Sequence, residues 1–84
     1  MNSKYLEKWR KFDQILEEHS FEIKHTIDDW KHCYYSDNFD GHLEYDIERD
    51  ELIIFDENNE ELVELSETKL DEINLLNSLV SIMG

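Results

Sequence analysis

The segment 41–65 contains three short stretches that read as β-strands, and each is separated from the next by only four polar residues. In the first stretch Leu43, Tyr45 and Ile47 alternate with acidic residues, and the stretches LIIFD and ELVEL follow the polar turns ERDE and ENNE. Connections this short join antiparallel neighbours, because a parallel crossover needs a dozen residues or more. The pattern therefore predicts an antiparallel β-meander.

The run 52–55 within this meander is apolar at every position. Successive side chains of a strand point to opposite faces, so both faces of this strand are apolar. Such a pattern is typical of a strand that is covered on two sides. We therefore expect 52–55 to lie in the centre of the sheet, with cover on both faces.

A helix is predicted on each side of the meander. Ser3 can cap the first helix, whose apolar residues recur every three or four positions at Tyr5, Trp9, Phe12 and Leu16. Ser66 is expected to cap the second helix. One side of that helix carries Leu70, Ile73, Leu76, Val80 and Met83, and its stripe is broadened by Leu75, Leu79 and Ile82. Because this helix is apolar nearly all round, we expect it to be covered on more than one side.

The stretch 21–35 fits two structures. Phe21, Ile23 and Ile27 alternate with polar residues as in a half-buried strand, yet Ile23, Ile27, Trp30 and Tyr34 also have helical spacing. Both alternatives remain open from the sequence. With either one, the order of elements predicts a single acidic α+β domain over residues 1–84, with an N-terminal helix, an antiparallel meander of three to five strands, and a C-terminal helix packed on the sheet.

The charge of the chain is large and unevenly distributed. The net charge is −14, and the segment 37–72 contributes −13 of it, from fifteen acidic and two basic residues. Such a field repels nucleic acid and anionic membranes and attracts cationic surfaces. The uncharged segment 73–84 is also shorter than the roughly 20 residues needed to span a bilayer. We therefore expect a basic protein as partner, with no direct binding to nucleic acid or membrane.

The acidic meander is the predicted binding surface. Carboxylates on two neighbouring strands together recur about every 3.3 Å, close to the roughly 3.4 Å per charge of one DNA strand. Glu44, Asp46 and Glu48 are expected to face outward in this row. Aromatic residues beside the charges are typical of interface hot spots. The candidate partner-binding residues are Asp37, Asp40, Glu44, Asp46, Glu48, Asp56, Glu57, Glu60, Glu61, Glu64, Tyr35 and Phe39.

The sequence contains no convincing catalytic or metal-binding motif. Cys33 and the four histidines have no recognised zinc-ligand spacing, and no third group can be assigned to orient a Cys–His pair. The stretch SDNFDGHLEYDIE resembles a calcium loop only in part, because the position that requires a bidentate acid is Ile47. We therefore expect no enzymatic activity, no cofactor and no metal site.

These features favour a non-enzymatic inhibitor that occupies the basic or nucleic-acid-binding surface of a partner such as a nuclease. The analogy is functional: small inhibitors of this type include phage-encoded DNA mimics such as anti-CRISPR proteins, and also antitoxins and immunity proteins. The alternative is an accessory protein that forms a homodimer through its C-terminal helix, with the charge serving solubility. A single cysteine and the absence of an apolar signal core in MNSKYLEKW predict a cytoplasmic location, which is the host cytoplasm for a phage-encoded protein.

Overall fold

The computed structural model describes residues 3–27 and 30–83, except for the side chains of residues 3–6. A single antiparallel sheet with strands in chain order lies between two helices in the sequence. This confirms the predicted α+β fold with an N-terminal helix, a meander and a C-terminal helix. The elements are α1 (Ser3–Glu18), β1 (Glu22–Ile27), β2 (Lys31–Ser36), β3 (Phe39–Asp46), β4 (Glu51–Phe55), β5 (Glu61–Ser66), a 3₁₀ turn (Glu67–Lys69) and α2 (Glu72–Met83).

Within the stretch 21–35 the residues 22–27 and 31–35 form strands, so the helical alternative is wrong for them; residues 28 and 29 lie outside the described residues. β2 pairs with both β1 and β3, which leaves Tyr34 fully buried. The expected half-burial of β1 is also wrong, because all six of its residues are exposed. β1 is an edge strand of the sheet. Phe21, directly before it, belongs to the buried core, whereas no residue of β1 does.

Both helices pack on the same face of the sheet. The Trp9 ring of α1 stacks on His32 with centroids 5.1 Å apart, and Phe12 contacts Tyr45 at 5.8 Å. Leu75 and Leu79 of α2 belong to the same core cluster. The buried members of this cluster are Phe12, Leu16, Phe21, Tyr34, Leu43, Tyr45, Ile47, Leu52, Ile54, Leu65, Leu70, Leu75 and Leu79.

The opposite face of the sheet has no helix among the described residues, which corrects one expectation for 52–55. Leu52 and Ile54 are fully buried under the helices, whereas Ile53 and Phe55 point to the other face and are only half-buried. β4 is an interior strand that pairs with β3 and β5, and it is apolar on both faces as predicted, although the middle strand of the five is β3. Among the described residues, both helices lie on the first face of β4, and the second face has contacts from side chains of neighbouring strands, such as His42 stacked on Phe55.

Hydrogen bonds attach α1 to β2. The Trp9 indole N–H donates to the Tyr34 hydroxyl at 3.0 Å, and this hydroxyl donates to Asp13 Oδ1 at 2.8 Å. Burial, followed by the Asp13 carboxylate, raises the pKa of Tyr34 far above its usual range, so the hydroxyl keeps the proton that it donates. This chain of bonds fixes the position of α1 on β2.

The beginning of α2 differs from the prediction. Ser66 is the last residue of β5 and makes no side-chain cap bond, whereas Asp71 Oδ1 accepts the backbone N–H of Asn74 at 2.7 Å. Asp71 is thus the N-cap, in the geometry that short acidic side chains favour. Neither α1 nor α2, as far as the chain is described, is both long and apolar enough to cross a membrane.

Candidate protein-binding surface

One end of the sheet collects acidic residues from separate parts of the chain. The end of α1, the start of β1 and the β2–β3 and β4–β5 hairpins meet there, because a meander returns alternate turns to the same end. Lys24 is the only Lys or Arg in these segments, so nine carboxylates less one cation give a formal charge of −8. We call this surface the acidic end; its carboxylates are those of Glu17, Glu18, Glu22, Asp37, Asp40, Asp56, Glu57, Glu60 and Glu61.

The local sequence explains how the hairpins hold these charges outward. In the β4–β5 hairpin, Asp56 Oδ1 accepts the backbone N–H groups of Asn58 at 2.8 Å and Glu60 at 2.9 Å. Asn59 adopts a positive φ of 64°, a conformation that asparagine tolerates better than most residues. Asp56 therefore stabilises the turn, while the side chains of Glu57 and Glu60 are exposed.

Most charges of the acidic end have no cationic neighbour. A shallow groove connects α1, β1 and the β2–β3 hairpin, and it is lined by Glu17, Ser20, Glu22, Lys24, Tyr35, Ser36, Asp37 and Asn38. Among the described side chains of the acidic end, the ion pair between Lys24 and Glu22 at 3.3 Å is the only one. The remaining carboxylates repel one another at hairpins about 10 Å apart, which is two strand spacings.

This repulsion predicts that salt stabilises the fold. The described chain measures 33 × 26 × 22 Å, and the screening length falls from about 30 Å at 0.01 M salt to about 8 Å at 0.15 M. We expect the melting temperature at pH 7.5 to rise over this range of NaCl by roughly 4–8 °C, which corresponds to about 1 kcal/mol in a domain of this size. A flat or falling series of thermal melts would show that the acidic end does not strain the folded state.

The face of the sheet opposite the helices carries a row of adjacent rings, of which Tyr35, His42 and Phe55 are stacked and His25 is tilted against Tyr35. The ring centroids of His25 and Tyr35 are 5.8 Å apart, those of Tyr35 and His42 are 5.4 Å apart, and those of His42 and Phe55 are 4.9 Å apart. One ring comes from each of β1 to β4. We call this side of the sheet the open face. It carries these four rings and also Cys33, Glu44, Ile53 and Glu64.

Sequence reasoning identified Tyr35 but missed its neighbours in this row. His25, His42 and Phe55 become adjacent only through strand register, for example through the pairing of His42 with Phe55. The period-two pattern shows that His42 and Glu44 share a face, but it does not show which ring lies opposite. Sequence reasoning also missed Glu17, Glu18 and Glu22. These residues are far from the predicted meander in sequence, and the order of the strands in the sheet brings them to the acidic end.

Cys33 lies within the open face as a buried thiol. Burial, and next the Glu44 carboxylate opposite it, raise the pKa of Cys33, whereas Lys31 lowers it. The thiol is therefore protonated at neutral pH, which makes it a poor nucleophile. Among the described residues, no group of three or more His, Cys, Asp or Glu side chains is arranged to hold a metal ion.

Two candidate residues of β3 have contacts that change their interpretation. Asp46 is only 6% exposed, and its Oδ1 accepts the Arg49 N–H at 2.9 Å, so its predicted outward orientation is wrong. It stabilises the β3–β4 turn. Glu44 is half-buried and lies 3.9 Å from Lys31 Nζ and 3.2 Å from His42 Nε2, so its charge is partly compensated.

The continuous row of carboxylates predicted along neighbouring strands is absent from the described meander. Glu44 and Glu64 each pair with Ile53 of β4, which places them on opposite sides of that apolar residue. Glu48 is exposed in the β3–β4 turn, at the opposite end of the sheet from the acidic end. Phe39 packs against Phe21 at 6.2 Å as part of the core margin, so Tyr35 is the aromatic candidate on the open face.

The fold and this surface define a small α+β protein with one helical layer, one open sheet face and one strongly acidic end. No known protein family, characterised protein or solved structure matches the chain. The function is therefore argued from the surface itself.

Proposed function

We propose that the protein is a non-enzymatic inhibitor that binds a basic surface of a partner protein, such as the nucleic-acid-binding surface of a nuclease, through its acidic end. The observation that carries the proposal is the convergence of nine carboxylates with a single cation at one end of the sheet. A concentrated negative surface accelerates encounter with a positive one and repels wrong partners. Complementary charge is sufficient for this role, and the spacing of DNA phosphates is not required.

Tyr35 is the proposed contact between the acidic end and the open face. Its side chain lines the acidic groove, stacks on His42 and contacts the tilted ring of His25. A stacked ring has little conformational freedom to lose on binding, and tyrosine is enriched among residues that dominate interface energies. In this arrangement the carboxylates attract the partner. Tyr35 then supplies apolar contact, together with Ile53 and Phe55 of the open face.

A matched pair of variants tests the acidic end at constant net charge. Each variant neutralises four exposed carboxylates and changes the net charge from −14 to −10. The acidic-end variant is Asp37→Asn, Glu57→Gln, Glu60→Gln and Glu61→Gln. The control variant, with all four substitutions outside the acidic end, is Glu7→Gln, Glu48→Gln, Glu67→Gln and Glu72→Gln.

We expect the wild-type protein and the control variant to capture the same basic protein from a cell extract, with elution by salt and competition by DNA. The acidic-end variant should capture it at least tenfold more weakly at low salt, since long-range attraction depends on where the charges lie. Immunoprecipitation at 0.05 M and 0.5 M NaCl measures this difference. Equal capture by the two variants, or capture that DNA does not reduce, would contradict the proposal.

A further inference from the structure

We infer that a second copy of this chain docks on an exposed apolar stripe of α2 and forms a two-fold dimer. The stripe consists of Ile73, Leu76 and Val80, which are 71%, 39% and 65% exposed. This corrects the expectation that α2 is covered on more than one side, because the described chain covers only the side of Leu75 and Leu79. The inference is independent of the proposed function, which concerns the acidic end and Tyr35.

The stripe has the geometry of a helix-packing seam. Its residues follow at intervals of three and four, so they lie on one side of the helix, and at 3.6 residues per turn this side is about 120° from the buried pair. The neighbouring positions Asn77 and Ser81 are uncharged and exposed. From residue 73 to residue 83, α2 has no charged side chain.

The distribution of charge identifies a second copy as the occupant. α1 contains four acidic and four basic residues and is formally neutral, and α2 contains only Glu72, so the helical layer carries −1 of the total −14. The remaining −13 lies in the strands and connections. Two such molecules repel each other at every acidic surface, and α2 is where they can approach with least repulsion while burying apolar area. At Ile73 the stripe borders a pocket that is also lined by Glu7, Glu67, Asp71, Glu72, Lys8 and Lys11, whereas residues 73 to 83 of α2 themselves offer a basic partner no carboxylate.

The size of the stripe predicts a weak dimer. A standard interface buries about 800 Å² on each partner, whereas three side chains and their margins on a 12-residue helix supply less. The contact would be isologous, with the same stripe on both copies, as in most homodimers. We expect a dissociation constant on the order of 10–100 μM, and association that strengthens with salt because screening reduces the repulsion between copies.

Sedimentation equilibrium from 5 μM to 1 mM protein tests the inference with a matched pair of variants. Val80→Glu introduces a carboxylate into the stripe, and Leu62→Glu introduces one at a 50% exposed apolar residue of β5. Both variants have a net charge of −15, one more negative than the original −14. We expect Val80→Glu to weaken dimerisation at least tenfold and Leu62→Glu to leave it within about twofold of wild type. Ile73→Glu, at the other end of the stripe, should repeat the effect of Val80→Glu.

Thermal melts of each variant establish that the fold is retained. A monomeric wild type at 1 mM in 0.5 M NaCl would overturn the inference and leave the stripe to another occupant. Equal effects of Val80→Glu and Leu62→Glu would overturn it as well, because the dimer would then depend on net charge or on another surface. The salt dependence separates this interaction from partner binding, since salt should strengthen the dimer and weaken capture by the acidic end.

Discussion

Gly41→Ala is expected to lower the melting temperature by roughly 12–24 °C. A Cβ added at Gly41 would lie 1.8 Å from the Phe55 carbonyl oxygen and 2.9 Å from the Asp56 Cα, both backbone atoms of the adjacent strand segment. Backbone cannot rotate away as a side chain can, so β3 and β4 must separate where they pair. Overpacking typically costs 1–3 kcal/mol. We expect about 3 kcal/mol here, at about 4–8 °C per kcal/mol.

Thermal denaturation followed by circular dichroism measures this change. Asp40→Ala is the matched control, because Asp40 is the exposed neighbour of Gly41 in the same strand. Exposed substitutions of this kind usually change stability by less than about 0.5 kcal/mol. A shift of less than 4 °C for Gly41→Ala would mean that the two strands do not approach as closely as described.

The second large effect is expected from Leu79→Ala in α2. Leu79 is fully buried against the sheet, and removing its methyl groups should cost about 2–5 kcal/mol through lost burial and a residual cavity. This is a large share of the 5–15 kcal/mol typical of a whole domain. Partial unfolding at 37 °C is therefore expected, and a urea titration with an unchanged slope would show that stability alone has changed.

Val80→Ala is the internal comparison for this experiment. Val80 is the next residue of the same helix and is 65% exposed, so the substitution should cost less than about 0.5 kcal/mol in dilute solution. Leu76, which the sequence placed in the main apolar stripe, is 39% exposed and should give an intermediate effect. Equal losses for Leu79→Ala and Val80→Ala would contradict the packing described for α2.

Local patterns were enough to predict the two helices and the meander of residues 41–65, because each depends on nearby residues. The alternation of Leu43 and Tyr45 with acidic residues matches one buried face of β3, and Ile47, directly after the strand, is buried as well. The turns ERDE and ENNE are too short for anything except neighbouring antiparallel strands. The stretch 21–35 was ambiguous because two periodicities fit it, and strand pairing resolved the ambiguity.

Cover on each face was decided by tertiary structure. Alternation shows that Ile53 and Phe55 lie opposite Leu52 and Ile54, but it cannot show that both helices pack on a single face. The apolar pattern of α2 likewise suggested that the helix is packed on more than one side, but it cannot show which sides contact the rest of the protein. The position of a helix on a sheet depends on contacts between distant residues, such as the bond from Trp9 to Tyr34.

The sequence alone determined the sign and amount of the charge and its concentration in the segment 37–72. Only the tertiary structure decided which carboxylates face solvent. Asp46 and Asp56 bind backbone N–H groups in turns, so part of the predicted row has a structural role. Glu17 and Glu22 reach the acidic end because the chain begins its meander there. Charge is a property of composition, whereas a charged surface depends on which distant segments the topology brings together.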